Sequence, residues 1–599
     1  MRDGWPNAGG RRALESKRIP LLRGLGAALL LAILVLWLGR PIAMAGFGEA
    51  GDFALAWSAR LLGELGLERL ELAGMLGGAE LNYALGQMPP VTLAMHALLF
   101  HLFGELPVTQ LFLLLALHLL ISLVAMAVAR QWTGRNWAVL VAGLVFALHP
   151  VAFGTSSGLV GLSALLAALF ILIAMSLTIA FARGGGPMLL ILLTLAAMLA
   201  VFCGAAGVMV FPASLLVALT DPQRRGKPRS RRVLLAPLTA MLGVVLPLIY
   251  IARTFGRTMY LLKMTSLHWA DVTEQMSLSE KLLKVGAALI GKTAYLLRAL
   301  LAPVDPTMTT PREWVGTLLI ASLAAALFTL AIYRALRRPG NLWWPLLGLL
   351  AMLPLAADLV LPRALAPASV FAAAYAPLIF FALWLAELTP RGEGNAGRIV
   401  FIMLILLALL PQSWLLGLSR GRHSELVNRL GREFVAQIDE APAGADVIVP
   451  ARPTRMNLLE AAFLAGQYRQ PPKRQIRFRL LVGGRLFAGP KATRLGREFG
   501  ALVRLPYGPQ NLVIGLSGDE LHLIDLTPQI KQKILLAEDA IAQTGASPPP
   551  WQLVDEDIID RWPVVATEVP EQPVGLNDTA WFVEGFLYRL HPHLGRVGY

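Results

Sequence analysis

Charged side chains are scarce in this chain. They make up 15% of the 599 residues, whereas 56% are hydrophobic, and the mean hydropathy is +0.61. A soluble domain is only about 45–50% apolar. The shortage of charge therefore argues against a soluble protein and predicts a polytopic α-helical membrane protein.

Cysteine is nearly absent, since Cys203 is the single one and lies inside an apolar run. One cysteine permits no intrachain disulfide and no cysteine metal cluster. The sequence also lacks a P-loop, a dinucleotide-binding glycine pattern and a serine-hydrolase elbow in a suitable context. The usual signatures of ATP-driven transport are therefore missing. No metal site is predicted, because His268 and the pair His591 and His593 show no ligand spacing.

Positive charge is present in excess, with a net charge of +15. In a soluble protein this would suggest nucleic acid, but much of the excess lies in the N-terminal tail and in turns between apolar runs. Lys and Arg near a membrane segment stay in the cytoplasm, so no nucleic-acid partner is expected. Four arginine-bearing turns follow the pattern: Arg130–Arg135, 221–232, Arg334–Arg338 and Arg391–Arg398.

Placing all four turns inside gives one layout with a cytoplasmic N-terminus and about eleven transmembrane helices. It comprises a cytoplasmic tail (1–23), a transmembrane domain (24–417) and outer loops at 45–105 and 254–313. The remainder, 418–599, has frequent charges and prolines, and short β-rich runs alternate with helical stretches. It is predicted to be an extracytoplasmic α/β domain, which in a bacterium means a periplasmic domain on the inner (cytoplasmic) membrane.

Segment 281–301 is apolar enough to cross a membrane. A crossing there would export Arg334, Arg337 and Arg338, so it is interpreted as an amphipathic helix on the outer surface. The predicted spans are about 24–44, 107–129, 137–150, 158–182, 187–203, 206–220, 233–253, 314–333, 342–360, 368–387 and 399–417.

Candidate site residues lie at the outer ends of these spans. Glu49 and Asp52 stand just past the first span, where a carboxylate can take a proton from an attacking hydroxyl. Asp52 could instead simply cap the following helix. These two carboxylates are too small a ligand set to decide between dependence on a divalent cation and independence of it.

Each of three further residues has two possible interpretations. His118 lies mid-span, where an ionisable group is a functional hypothesis by default, although a histidine bonded to a neighbouring helix is an equal alternative. His149 precedes Pro150 at the outer surface, where it could bind phosphate or cap the helix end. Arg363 could grip a lipid phosphate through its planar fork or extend towards headgroups.

Three segments together resemble the C-type (GT-C) membrane glycosyltransferases, in particular the TPR-containing protein O-mannosyltransferases and their bacterial relatives without TPR repeats. The similarity covers roughly 45–420, and the early GEAGDF stretch falls where that family has its acidic catalytic motif. The matching positions are Pro89, Phe103, Gly104, Pro107 and His118 in the first segment, His149, Pro150, Val151, Gly161, Leu165 and Leu166 in the second, and Arg363 and Ser369 in the third.

The resemblance implies a GT-C-like fold and an inverting glycosyltransferase. Such an enzyme moves a sugar from a polyprenyl-phosphate donor to a glycan, lipid or protein acceptor on the outer face of the membrane. Asp52 would be the general base, Glu49 would assist it, and Arg363, His149 and His118 would bind substrate. The expected partners are membrane lipid and the lipid-linked sugar.

Several charged positions of the family pattern are missing. The pattern has arginine, asparagine, glutamate, arginine, aspartate and tyrosine where this chain has Met88, Leu114, Gly154, Leu162, Ala164 and Ala366. Losing a whole cluster together is self-consistent, because a buried charge without partners is costly. The alternative function is therefore a non-catalytic GT-C-like scaffold or lipid-binding protein in cell-envelope assembly. A transporter or flippase is less favoured, since the spans are poor in charge and show no inverted repeats.

Overall fold

A computed structural model describes the helical bundle and part of a C-terminal sheet. Most residues up to Ile438 are described, and after Ile438 only short segments are. The described residues are 8–48, 52–53, 56, 90–104, 106–220, 231–266, 279, 293, 296–297, 300, 343–358, 367–389, 395–438, 446–450, 458–459, 461–462, 465–466, 477–482, 485–488, 494–495, 511–516 and 523–525.

Among the described residues up to Ala182, apolar runs form six helices. Proline begins three of them, at positions where its missing N–H has no helical partner to lose. A 3₁₀ turn at Leu159–Gly161 joins the fifth helix to the sixth. The helices are α1 (Ala8–Ala45), α2 (Pro90–Phe103), α3 (Pro107–Thr133), α4 (Asn136–Leu148), α5 (Pro150–Ser156) and α6 (Leu162–Ala182).

The described part of the chain after Ala182 contains six more helices, and the last continues well past the apolar region. A 3₁₀ turn at Ala205–Met209 leads into the eighth helix, and a second one, Arg231–Leu234, leads into the ninth. The helices are α7 (Met188–Cys203), α8 (Val210–Thr220), α9 (Leu235–Ser266), α10 (Trp343–Asp358), α11 (Pro367–Leu388) and α12 (Asn395–Ile438).

Length and apolar composition identify the chain as a polytopic helical membrane protein. Within the described residues, five helices are long and apolar enough to cross a membrane, or six if the bent pair α4–α5 counts as one span. Several shorter apolar helices, such as α7, accompany them. The number of eleven spans stays a prediction.

Two predicted boundaries fall inside helices. The helix predicted to end at 253 continues to Ser266, so the predicted outer loop 254–313 begins with helix. The predicted domain boundary at 417 falls inside α12, which runs unbroken to Ile438. In both cases charged residues end the hydropathy signal without ending the helix, because Lys, Arg and Glu are good helix formers.

Helices α1 and α12 run in the same direction. A Cβ at Gly417 would lie 2.9 Å from the carbonyl oxygen of Leu38, and further along both helices the Asn428 amide donates to the carbonyl oxygen of Ala45 at 3.2 Å. Parallel packing is the arrangement that the eleven-span layout requires of its first and last spans. It also brings residues 45–48 and Asp52 to the same end of the bundle as 420–428. We call this the Asp52 end.

The opposite end of the bundle is closed by an arginine from one of the arginine-bearing turns. Arg135 donates hydrogen bonds to the carbonyl oxygens of Thr389 (2.9 Å) and Glu387 (3.0 Å) at the end of α11. Helix C-termini leave carbonyls without intrahelical partners and carry a partial negative charge, so a guanidinium is favoured there. The buried Glu387 carboxylate accepts a hydrogen bond from Trp344 Nε1 at 3.0 Å.

Residues after α12 include a six-stranded mixed sheet in the order β4-β3-β2-β1-β5-β6. β1 lies parallel to β2 and β5, and the other pairs are antiparallel. The runs predicted to be β-rich, 447–449, 480–482 and 511–516, lie in β1, β2 and β5. The strands are β1 (Asp446–Pro450), β2 (Arg477–Val482), β3 (Arg485–Ala488), β4 (Arg494–Leu495), β5 (Asn511–Leu516) and β6 (Leu523–Asp525).

Some sequence predictions fall outside the described residues. Glu49 and Arg363 are among them, as are the span predicted at 314–333, most of the interfacial helix at 281–301 and most of the loop 45–105. These stay predictions.

Candidate active site

The Asp52 end is organised around a broken helix. α4 and α5 meet at a bend of 49°, because Pro150 lacks an N–H and disfavours helical geometry at the residue before it. His149 accordingly adopts an extended conformation, and its Nδ1 accepts the backbone N–H of Val151 at 3.2 Å. His149 thus caps α5.

The second nitrogen of His149 reaches the segment predicted to be an outer loop. Nε2 lies 3.0 Å from the carbonyl oxygen of Leu300. A carbonyl can only accept, so Nε2 carries the proton and donates it. Both ring nitrogens of His149 therefore form hydrogen bonds. One caps α5, and the other connects the start of α5 to Leu300. Phosphate binding by His149 stays a prediction, and it would require release of one of these bonds.

Asp52 is fully buried against the turn that follows α5. Its Oδ1 accepts the backbone N–H of Val160 at 3.4 Å, which is a long hydrogen bond. Gly158 allows this approach, because a Cβ at that position would lie 2.6 Å from Oδ1. The carboxylate therefore packs against the backbone of residues 158–160, on a part of the chain more than a hundred residues away in sequence.

The segment before Asp52 is fixed to α12. Asn428 donates to the carbonyl oxygens of Ala45 (3.2 Å) and Phe47 (3.3 Å), and a Cβ at Gly48 would lie 2.4 Å from Ser424 Oγ. Phe47 and Phe53 pack edge to face with ring centroids 5.8 Å apart. Asp52 thus stands between two anchored aromatic residues, and both Asp52 and Arg420 make further interactions with the chain.

His118 lies deeper, in a completed hydrogen-bond network. Its Nδ1 is 2.8 Å from the hydroxyl of Tyr375, and its Nε2 is 3.2 Å from the carbonyl oxygen of Ala147. Nε2 therefore donates, and Nδ1 accepts from the tyrosine. This is the geometry of the predicted alternative, a histidine bonded to neighbouring helices. A role in substrate binding stays a prediction.

A buried arginine stands where the sequence pattern pointed to none. Arg420 of α12 is only 3% exposed, and its guanidinium carbon lies 5.5 Å from the centroid of the Phe371 ring. That ring packs against Gly154 so closely that a Cβ there would overlap it. Phe371 thus fills the space that a side chain at position 154 would occupy.

A histidine of α2 was also missed. His96 is 4% exposed and faces the backbone of Leu159. Within the part of the chain that the structure describes, its Nε2 has no hydrogen-bond partner. Because Leu159 and Val160 are adjacent, His96 and Asp52 contact neighbouring residues of one turn. An ionisable residue in an apolar stretch was the signal that could have identified it.

Three residues of the predicted set lie along α5. His149 caps its first turn, Asp52 packs on the turn that follows it, and the His118 ring lies 5.9 Å from the ring of Phe153 within it. Glu49 and Arg363 lie outside the described residues. Among the described residues, no group of three or more His, Cys, Asp or Glu could hold a metal ion.

Comparison with known proteins gives weak similarities only. No family model matches the chain, and no curated protein matches it. Among solved structures it is similar to the oligosaccharyltransferase AglB from Archaeoglobus fulgidus, in complex with an inhibitory peptide and a dolichol-phosphate. The identity is 12% and the TM-score 0.37, over 74% of this chain and 63% of that one, which is less than two thirds of its length.

A second similarity is to ArnT from Cupriavidus metallidurans bound to undecaprenyl phosphate. Here the identity is 13% and the TM-score 0.40, over 77% of this chain and 92% of that one. Both TM-scores are below 0.5.

Proposed function

We propose that this protein is an inverting glycosyltransferase that moves a sugar from a polyprenyl-phosphate donor to an acceptor at the outer face of a bacterial inner membrane. The observation that carries the proposal is the buried carboxylate of Asp52 at one end of an apolar bundle. A carboxylate is costly to bury in such surroundings. Asp52 lies in the stretch that resembles the acidic motif of C-type glycosyltransferases, and a role in the reaction would account for its burial.

Asp52 would act as the general base. The acceptor hydroxyl oxygen forms a bond to the anomeric carbon, and the proton of that hydroxyl goes to the carboxylate. The bond from the anomeric carbon to the phosphate oxygen breaks, and its electron pair leaves with the phosphate. Glu49 would assist Asp52 or help to hold a divalent cation. The backbone N–H of Val160 orients one carboxylate oxygen.

The relative directions of the helices support an outer site. α1 and α12 run parallel, and α12 continues past the Asp52 end to β6, where Glu433 Oε2 accepts the Leu523 N–H at 2.9 Å. Asp52 and the sheet thus lie on the same side of the bundle. If the arginine-bearing turns are cytoplasmic, both face the periplasm, where the acceptor would be a glycan, lipid or protein.

One observation favours a second candidate function, a lipid-binding scaffold without catalysis. Phe371 packs against Gly154 and leaves no room for the glutamate of the family pattern. Leu162 and Ala164, which replace the arginine and aspartate of that pattern, are buried. Apolar packing thus compensates the loss of these charges. A scaffold for envelope assembly would need no base, so the two candidates differ in what Asp52 does.

The test is an Asp52→Asn substitution in purified protein reconstituted into liposomes. Undecaprenyl phosphate mannose serves as the donor and a membrane extract as the acceptor source, and released undecaprenyl phosphate is measured by mass spectrometry. Asparagine keeps the shape and can still accept the Val160 N–H, but it cannot take a proton. Turnover is expected to fall about 10²- to 10⁴-fold.

Glu387→Gln is the matched control. Glu387 is also a buried carboxylate, but it lies at the opposite end of the bundle, and glutamine can still accept the Trp344 N–H. This variant should keep its turnover. A protein with asparagine at position 52 that is as active as the parent would refute the proposed base. A parent protein without turnover on a panel of undecaprenyl-phosphate sugars would favour the scaffold.

A further inference from the structure

We infer that Arg420 binds the phosphate group of the lipid-linked donor. This inference rests on the proposed function and names a residue for the leaving-group side of the reaction. Arginine is suited to that task because its guanidinium is always charged and presents a planar fork of donors that matches a phosphate. The negative charge on the phosphate increases as the bond to the sugar breaks.

The position of the guanidinium is fixed by packing. Arg420 lies over the Phe371 ring at 5.5 Å, and a cation over an aromatic face is attracted by its quadrupole. Phe371 in turn packs against the backbone of α5 at Gly154. The guanidinium is therefore held relative to α5, the helix that leads into the turn packed on Asp52.

The same short segment of chain lies beside both groups. Gly154 of α5 lies beside the ring under Arg420, and Gly158, in the turn after α5, lies beside the Asp52 carboxylate. Inversion requires the base and the leaving group on opposite faces of the sugar. Asp52 as the base and Arg420 on the leaving-group side would meet that requirement.

The face of α12 that carries Arg420 also contacts the segment before Asp52. Arg420, Ser424 and Asn428 are four residues apart and share one face. Ser424 packs on Gly48, and Asn428 donates to the carbonyl oxygens of Ala45 and Phe47. α12 thus fixes the position of the Arg420 guanidinium and of the segment that leads to Asp52. An arginine with a purely structural role would not need a fixed position relative to Asp52.

The experiment measures lipid selectivity rather than turnover. The protein is placed in nanodiscs of uncharged phosphatidylcholine, and binding of undecaprenyl phosphate is compared with binding of undecaprenol by native mass spectrometry. The parent protein should prefer the phosphate. Arg420→Gln should reduce that preference about 10- to 100-fold, because a charge-assisted hydrogen bond to a phosphate is lost. Arg420→Lys should keep part of it, since the charge remains but the fork does not.

Arg398→Gln is the charge-matched control, because Arg398 lies at the other end of α12; its preference should equal that of the parent. Phe371→Leu leaves Arg420 in place but removes the ring beneath it, and its preference should fall between those of the parent and Arg420→Gln. This variant and Arg420→Lys decide the matter if the glutamine variant does not fold. Parental selectivity in both would overturn the inference.

Two outcomes separate this inference from the proposed function. If the parent prefers undecaprenyl phosphate and Arg420→Gln prefers it equally, the inference fails and the proposed function stands. If the parent does not distinguish undecaprenyl phosphate from undecaprenol, the lipid-linked donor itself is refuted. Displacement of the bound lipid by millimolar inorganic phosphate would assign the contact to a soluble anion and overturn the inference; none is expected.

Discussion

A single methyl group at position 158 should displace the proposed base without disturbing the backbone. Gly158 has φ of −155° and ψ of 158°, an extended conformation that alanine adopts freely. The obstacle is Asp52, since the new Cβ would lie 2.6 Å from Oδ1 and 2.8 Å from Oδ2. Gly158→Ala is therefore a substitution that acts through the position of Asp52.

The magnitude follows from the overlap. An ordinary contact to a Cβ is 3.4–4 Å, so the carboxylate must retreat by roughly 0.8 Å to reach its lower limit, and a misplacement of about 1 Å in a catalytic group can reduce turnover about 10²-fold. We expect turnover to fall about 30- to 100-fold, or roughly 2 to 2.7 kcal/mol in the activation free energy. Overpacking costs about 1–3 kcal/mol of stability, partly offset by about 0.4–1 kcal/mol from a stiffer unfolded chain.

The assay is release of undecaprenyl phosphate from undecaprenyl phosphate mannose in liposomes, compared per folded protein. Gly39→Ala is the matched control, because its Cβ would also lie 2.6 Å from a neighbouring atom, the flexible Cδ1 of Leu115 in α3. This control should leave turnover unchanged. In an Asp52→Asn background, Gly158→Ala should add no further loss, since the side chain it displaces no longer takes a proton.

Full turnover in a folded Gly158→Ala protein would refute the reasoning. It would mean that Asp52 can move by most of an ångström without consequence, which a general base cannot. A loss that is fully additive with Asp52→Asn would also refute it, because the methyl group would then act through some other part of the turn.

Two further substitutions test the polar groups beneath the site. Tyr375→Phe removes the donor of His118 Nδ1, which should lower the free energy of unfolding by about 1–2 kcal/mol and leave turnover per folded protein intact; lost turnover at unchanged stability would instead make His118 a substrate ligand. His149→Ala removes the cap of α5 and the bond to Leu300, costing about 1–2 kcal/mol. His149→Asn should recover part of that cost in the same unfolding measurement, because asparagine also caps helices, and no recovery would contradict the capping role.

The membrane helices could be predicted because their signal is local. A long apolar run has few structural alternatives, so the predicted spans at about 107–129 and 158–182 agree with the helical segments Pro107–Thr133 and Leu159–Ala182 to within four residues at each end. The ends of the helices are harder to predict. α12 continues to Ile438 through residues such as Arg420, Glu425 and Arg432. Charged residues of this kind end a hydropathy window but favour a helix. Hydropathy therefore located where the helix enters apolar surroundings, not where it stops.

The site could be predicted only in part, because its contacts are distant in sequence. Asp52 was found from its position after the first span, but its partner, the backbone of Val160, is 108 residues away and gives no side-chain signal. Arg420 was hidden in a charged stretch that resembles any solvated helix surface. Its burial and its position over the Phe371 ring, which packs on Gly154 of α5, depend on contacts that are distant in sequence.

The continuity of α12 gives the C-terminal sheet a defined place relative to the site. Glu433 and Gln437 both bind Leu523 of β6, through its N–H at 2.9 Å and its carbonyl oxygen at 2.9 Å. Glu433 lies thirteen residues beyond Arg420 on the same unbroken helix, which corresponds to about 20 Å along the axis. Because one element carries both contacts, the sheet cannot turn independently of the guanidinium without bending a helix or breaking these bonds. The sheet therefore lies on the side of the bundle that holds Asp52, opposite to Arg135.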